Sequence, residues 1–165
     1  ETDTRMTYVQ VEYSRGIKML RSALFLTALV TIIPATVALA AEVPQEVRHE
    51  LMEDVGGAAK NIGKLLKGEA PFDAVLANQS LRTWADASAT FGDLFPEGSE
   101  SGYDTEAKAT IWTDRAGFEE QLALFAEKAN AAVAVNPQSL DELQPAAGAV
   151  FKTCKSCHES YRVDD

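Results

Sequence analysis

An all-α fold, an antiparallel four-helix bundle, is what this sequence predicts. Three observations carry the prediction. Apolar residues recur at helical spacing in four separate segments. The chain beyond residue 40 is rich in alanine, leucine, glutamate and lysine and poor in β-branched runs. Two of the three connections between the periodic segments are short. Helices of similar length joined by short connections pack as antiparallel neighbours around one core. No repeat, heptad array or low-complexity block competes with that reading.

The elements follow in order. Residues 1–40 differ from the rest: Arg15, Lys18 and Arg21 precede an apolar stretch over 23–33, then Pro34, then the small residues of Ala38-Leu39-Ala40. A positive end, an apolar helix and small residues at the exit describe a secretory signal peptide, which leaves 41–165 as the mature domain. The alternative is an uncleaved anchor, but Thr27, Thr31, Pro34 and Thr36 interrupt a run already short for a stable span. The first bundle helix opens at Pro44, suited to a first helical turn. It keeps its spacing through Val47, Leu51, Val55, Ala58, Ile62 and Leu65 until Gly68. A second covers 73–91 through Val75, Leu76, Leu81, Trp84 and Ala87. After the Gly-, Ser- and acid-rich stretch "LFPEGSESGYDTEAKA", a third begins near Lys108 and follows Ile111, Arg115, Phe118, Leu122, Phe125, Ala129 and Val133 to the stop at Asn136-Pro137. Ser139 and Glu142 make a capping-box signature for the fourth, which runs through Leu143, Ala147, Val150, Cys154, His158 and Tyr161.

The formal net charge is −10, and cleavage after residue 40 makes it −11. An acidic chain is a poor partner for nucleic acid and presents a field suited to a partner with a basic face. No Gly-rich phosphate loop and no nucleophile–base arrangement appears, so an enzyme reading is poor. Only two cysteines occur, too close in sequence to staple a fold. An exported chain that keeps one close cysteine pair points to thiols consumed by a covalent cofactor.

Cys154-Lys155-Ser156-Cys157-His158 is the CxxCH pattern of covalent haem attachment. Each thiol adds across a haem vinyl group, and the adjacent histidine is delivered beneath the iron as proximal ligand. Cys154 and His158 stand at i and i+4, on one helical face. A thioredoxin-like pair needs a strand upstream and a helix starting at the first cysteine, and neither is present. A zinc site needs a fourth ligand, and the only other histidine is His49. The cofactor expected is one haem c.

The stretches "VRHELMEDVGGAAKNIGKLLKGEAPFD", "LFPEGSESGYDTEAKATIWTDRAGF" and "CKSCHESYR" resemble the cytochrome c′ family, exported four-helix haem proteins of bacteria. The likeness covers 42–165, and the C-terminal CxxCH separates this family from small c-type cytochromes with the motif near the start. The resemblance implies a periplasmic location and, for many members, a homodimer through the first two helices. It also implies a division at one position of the first helix. Five-coordinate members block the distal side with an apolar residue and bind small gases such as nitric oxide or carbon monoxide. Low-spin members ligate iron with a methionine and transfer electrons to redox partner proteins. Met52 falls at that position, on the side of the methionine-ligated branch, and in this reading it is the distal ligand. The residues themselves leave Leu51, Met52 and His49 open, since a small rotation of the helix exchanges them. A track of Gly56, Ala59 and Gly63 beside Met52 would leave room for a flat cofactor. The resemblance further places Arg162, one turn past His158, against a haem propionate or the proximal imidazole, and Arg48 against a propionate. Lys152, Lys155 and Arg162 form a small basic cluster for a docking partner. Trp84, Trp112, Phe118, Phe125 and Tyr161 are expected in the core, one or two of them touching the haem, with Phe72, Phe91 and Phe95 sealing the bundle ends. A peroxidase pairing of Arg48 with His49 is excluded because neighbours on a helix point in different directions.

Overall fold

The computed structural model describes residues 42–163. The signal segment expected over 1–40 lies outside the described residues. Pro44–Leu66 (α1), Ala74–Thr90 (α2), Thr110–Thr113 (α3), Arg115–Val135 (α4) and Leu140–Tyr161 (α5) are helical, and a 3-10 turn at Phe91–Leu94 continues α2. The four long helices form the expected antiparallel bundle, with α2 packed on α1, α4 on α2, and α5 on α4, and a lighter α1–α5 contact closing the ring.

Local chemistry sets the ends. Asp73 Oδ1 accepts from the backbone N–H groups of Val75 (2.8 Å) and Leu76 (3.0 Å), the side-chain cap that starts α2. Gly68, with φ +69°, takes the left-handed turn after α1, and its N–H donates to the Leu65 carbonyl at 3.1 Å. Asn136 does the same after α4, with φ +49°. Ser139 Oγ accepts from Glu142 N at 3.3 Å, as the capping box predicts. The returning Glu142 carboxylate bonds the Gln138 N–H at 2.7 Å instead of that of Ser139.

Two apolar clusters fill the bundle. The larger contains Ile62, Leu65, Leu81, Trp84, Ala129, Leu143, Ala147 and Val150. Trp84 is fully buried, donates Nε1–H to the Val55 carbonyl at 3.1 Å, and meets Phe151 edge-on at 5.2 Å. The small alanines let the helices approach closely. Val75, part of the expected apolar pattern, is exposed at the start of α2. The second cluster, Phe95, Ile111, Phe118 and Tyr161, lies beside the CxxCH end of α5. Its rings meet edge to face: Phe91–Phe95 (5.0 Å), Phe95–Phe118 (4.9 Å) and Phe118–Tyr161 (5.3 Å). Phe91 and Phe95, expected at the bundle ends, belong to this cluster and line its cavity. One expectation is corrected here. The third helix is not continuous from Lys108, because the chain makes one turn (α3), breaks at Asp114 (φ −121°, ψ 55°), and restarts as α4.

The break has a local cause. Asp114 Oδ1 accepts from Gly117 N at 3.3 Å and caps α4, while Oδ2 accepts the Tyr161 hydroxyl at 3.0 Å. A methyl group on Gly117 would collide with the Asp114 carboxylate and come within 2.7 Å of the Tyr161 oxygen. Gly117→Ala should therefore destabilise the protein by about 1–3 kcal/mol in urea denaturation. Gly148→Ala, in mid-helix with nothing within 4 Å of the added carbon, should be neutral or gain about 0.5–1 kcal/mol.

Candidate haem site

The last turns of α5 direct Thr153, Cys154, Cys157, His158 and Tyr161 at one cavity of about 160 Å³. Facing them from α1 are Gln45, Arg48, His49, Met52 and Val55. Phe118, Leu122 and Phe125 of α4 and Phe91 and Phe95 supply flat apolar walls, and residues 103–107 form a rim. Of the five aromatic residues expected in the core, Phe118, Phe125 and Tyr161 reach the cavity, whereas Trp84 and Trp112 do not. Ser156, inside the CxxCH, donates to Gln121 Oε1 at 2.9 Å and so ties the motif to α4.

Both Leu51 and Met52 pack against the main core, but only Met52 also lines the cavity. His49 reaches the rim, but its side chain is 69% exposed and lies 3.7 Å from Glu53. The small-residue track is corrected: Gly56 is exposed, and neither it, Ala59 nor Gly63 lines the cavity, whose α1 wall is one turn earlier.

Arg48 is buried, 4% exposed. Its Nη1 donates to the Leu94 carbonyl (3.3 Å) and Ser99 Oγ (3.1 Å), and Nη2 to the Ser99 carbonyl (2.8 Å) and Thr105 Oγ1 (2.6 Å). The guanidinium also lies over Phe95 at 4.9 Å and Trp112 at 5.7 Å. Burial lowers its pKa, and Glu100 offsets part of that. It reaches the cavity while fastening the long connection across it. Arg162, also at the rim, donates Nε–H to Glu106 Oε2 at 2.6 Å. Of the expected basic cluster, Arg162 is paired with Glu106 and Lys155 with Glu159 (3.7 Å), so much of its charge is offset locally.

Burial raises the pKa of Cys154, and burial together with the neighbouring Cys154 pushes Cys157 up to about 11. His158 keeps part of its surface in solvent; desolvation of the rest, and then Arg162, lower its pKa. Two neutral thiols that are not joined to each other, a neutral imidazole able to bind metal, and aromatic walls fit a flat, covalently held macrocycle with a central iron.

Glu106, Asp114, Gln121 and Thr105 were not legible as site residues. Thr105, Glu106 and Asp114 lie in or next to the irregular connection, where no periodicity marks which residue turns inward, and Gln121 is a polar residue within α4, outside its apolar spacing. The one available signal was Asp114 three residues before Gly117, a helix-start pattern hidden by the apolar spacing running through Ile111.

The sequence profile of a family described as Cytochrome C′ matches residues 44–162. Cytochrome c′ of Rhodopseudomonas palustris is 41% identical over 118 residues, covering 70% of this chain and 79% of that protein. Cytochrome c-556 of Agrobacterium tumefaciens is 32% identical over 122 residues, 72% of this chain and 93% of that one. Among solved structures, cytochrome c′ from R. palustris superposes with a TM-score of 0.71 at 35% identity, covering 75% of this chain and 98% of that chain. Oxidised R. palustris cytochrome c556 gives 0.67 at 25% identity, with 74% and 97% covered.

Three tests check the site. In the haem-free protein, a Cys157 pKa near 11 leaves about a hundredfold less thiolate below pH 9 than an ordinary cysteine, so iodoacetamide alkylation should be slowed accordingly. A thiol pKa raised by folding contributes stability that is complete below the unfolded value of 9.0 and is lost as pH rises through about 11. Urea stability should fall across that window, and thioether-linked protein should show no such fall. Arg48→Met should cost about 1–3 kcal/mol and speed amide exchange at Ser99 and Thr105.

Proposed function

Because the chain belongs to the cytochrome c′ family and carries haem c through Cys154 and Cys157, we propose that it is an exported one-electron carrier in which His158 and Met52 hold the iron from opposite sides. The observation that supports this reading is the placement of Met52 on the α1 wall of the same cavity that Cys154, Cys157 and His158 line from α5, a wall that Leu51 does not reach. The bound haem supplies a single iron that cycles between ferric and ferrous states.

The remaining work falls to the chain. A thioether is a soft donor that favours the ferrous state and raises the potential relative to two imidazoles. Phe91, Phe95, Phe118 and Phe125 line the cavity with apolar rings. The bonds of Arg48 and Ser156 hold the opposing walls in place, so little needs to move when charge changes. An acidic surface suits a redox partner that presents a basic face. Export rests on the signal-like segment at 1–40, and among the described residues no helix is long and apolar enough to cross a membrane. Pairing as a homodimer through α1 and α2 is carried over from the family resemblance.

A second reading is a five-coordinate, gas-binding centre with Met52 as a plug rather than a ligand. The higher identity to a protein named cytochrome c′ (41%) than to one named cytochrome c-556 (32%) favours it. Optical spectra of the matured protein, oxidised and reduced, with and without carbon monoxide, separate the two. Six-coordinate low-spin bands with a weak long-wavelength thioether band, unmoved by carbon monoxide, are expected. Met52→Ala should then lower the potential and raise carbon monoxide affinity tenfold or more, at least about 1.4 kcal/mol. A high-spin wild-type spectrum that shifts promptly with carbon monoxide would sink Met52 ligation.

A further inference from the structure

Main-chain contacts lash the end of α5 to residues 106–108. Lys108 N donates to the Tyr161 carbonyl at 2.9 Å and Val163 N to the Glu106 carbonyl at 2.7 Å, while Ala107 and Arg162 form an isolated antiparallel bridge. That register sets the Glu106 carboxylate beside the Arg162 guanidinium, where Nε–H donates to Oε2 at 2.6 Å. Both side chains line the rim of the cavity that His158 enters, and they remain 48% and 40% exposed. Arg162 stands one turn beyond His158 and donates its backbone N–H to the His158 carbonyl at 3.1 Å.

The Glu106 and Arg162 charges therefore share one rim, which Asp104 also lines, with the His158 imidazole. Having opposite signs, the two charges act on a redox centre at this cavity in opposite directions. We propose that Glu106 is a positioning residue for the redox centre, acting through Arg162: its carboxylate neutralises the guanidinium at the cavity rim, so that the pair, not the lone cation, sets the reduction potential. The inference rests on His158 holding the iron. A cation near the iron opposes the extra positive charge of the ferric state and favours reduction; an anion does the reverse. Because both groups are about half exposed, mobile ions screen each of them.

The test is the reduction potential of haem-loaded protein as wild type, Glu106→Gln, Arg162→Gln and the double variant, at low and high salt, with optical spectra of each. Glutamine keeps a hydrogen-bond acceptor for Arg162 and removes only the charge. Glu106→Gln should raise the reduced-to-oxidised ratio about threefold, or about 28 mV at 59 mV per tenfold. Arg162→Gln should lower it by a similar factor. The double variant should return close to wild type, and high salt should shrink both single shifts. An unmoved potential in Glu106→Gln with an unaltered spectrum overturns the proposal. Single shifts of the same sign, or shifts insensitive to salt, overturn it too. A wild-type spectrum lacking imidazole ligation removes its premise and is distinguishable from those outcomes, because it shows before any residue is changed.

Discussion

A buried cation without a buried anion organises this end of the molecule. The Arg48 guanidinium rises from α1 into the path of residues 94–105 and is satisfied by carbonyls, hydroxyls and aromatic faces rather than by a carboxylate within hydrogen-bond reach. Burying a charge is costly unless it is bonded, so the connection cannot leave Arg48 without exposing that cost. Arg115 does similar work from α4, donating to the carbonyls of Phe95 (3.2 Å) and Gly92 (3.3 Å) while Nε meets Glu119 at 2.8 Å. A long irregular connection has little local reason to hold one shape. Here two arginines, each planar and fork-shaped, supply the reason.

The fixed connection in turn fixes the motif. Helix C-termini leave carbonyls without partners and tend to fray, yet Cys157 and His158 stand within the last turns of α5. The returning segment meets those carbonyls one by one: Lys108 Nζ donates to Glu159, Thr110 Oγ1 to Ser160, and Lys108 N to Tyr161. The Tyr161 hydroxyl is held by Asp114, the same carboxylate that starts α4. The ligand-bearing end of α5 is thereby braced by the connection and by α4, although its own sequence carries no strong stop signal.

This division of labour explains what could be read from the sequence. The four long helices were legible because their apolar spacing is local, and the covalent attachment site because CxxCH is a contiguous motif. The path of residues 94–109 was not. The bonds that determine it join residues far apart in sequence, 46 to 57 positions for Arg48 with Leu94, Ser99 and Thr105 and 20 for Arg115 with Phe95, and such pairs leave no periodic trace. That Phe91 and Phe95 line the cavity was not legible for the same reason, since their inward turn depends on where that connection folds. The track of Gly56, Ala59 and Gly63 was misassigned for a different reason. Small residues permit a close approach but do not require one, and here the cavity lies nearer the start of α1.

The α1 side chain at the cavity is where this frame bears on the proposed function. Successive residues on a helix point about 100° apart, so exchanging Leu51 for Met52 at the cavity means turning α1 by that much. Two anchors resist the turn. Before position 52, the Arg48 bonds hold one edge of α1; after it, the Val55 carbonyl accepts the buried indole N–H of Trp84. Rotation would break both and would swing Leu51 out of the core it helps to fill. Substituting the side chain at position 52 disturbs neither anchor. A methionine there offers a thioether, a branched apolar residue offers only bulk, and the bundle, the loop and the CxxCH stay as they are. On the proposed reading, this frame would let one substitution at position 52 decide between a ligated and an open iron, while the helix that carries it keeps its seat.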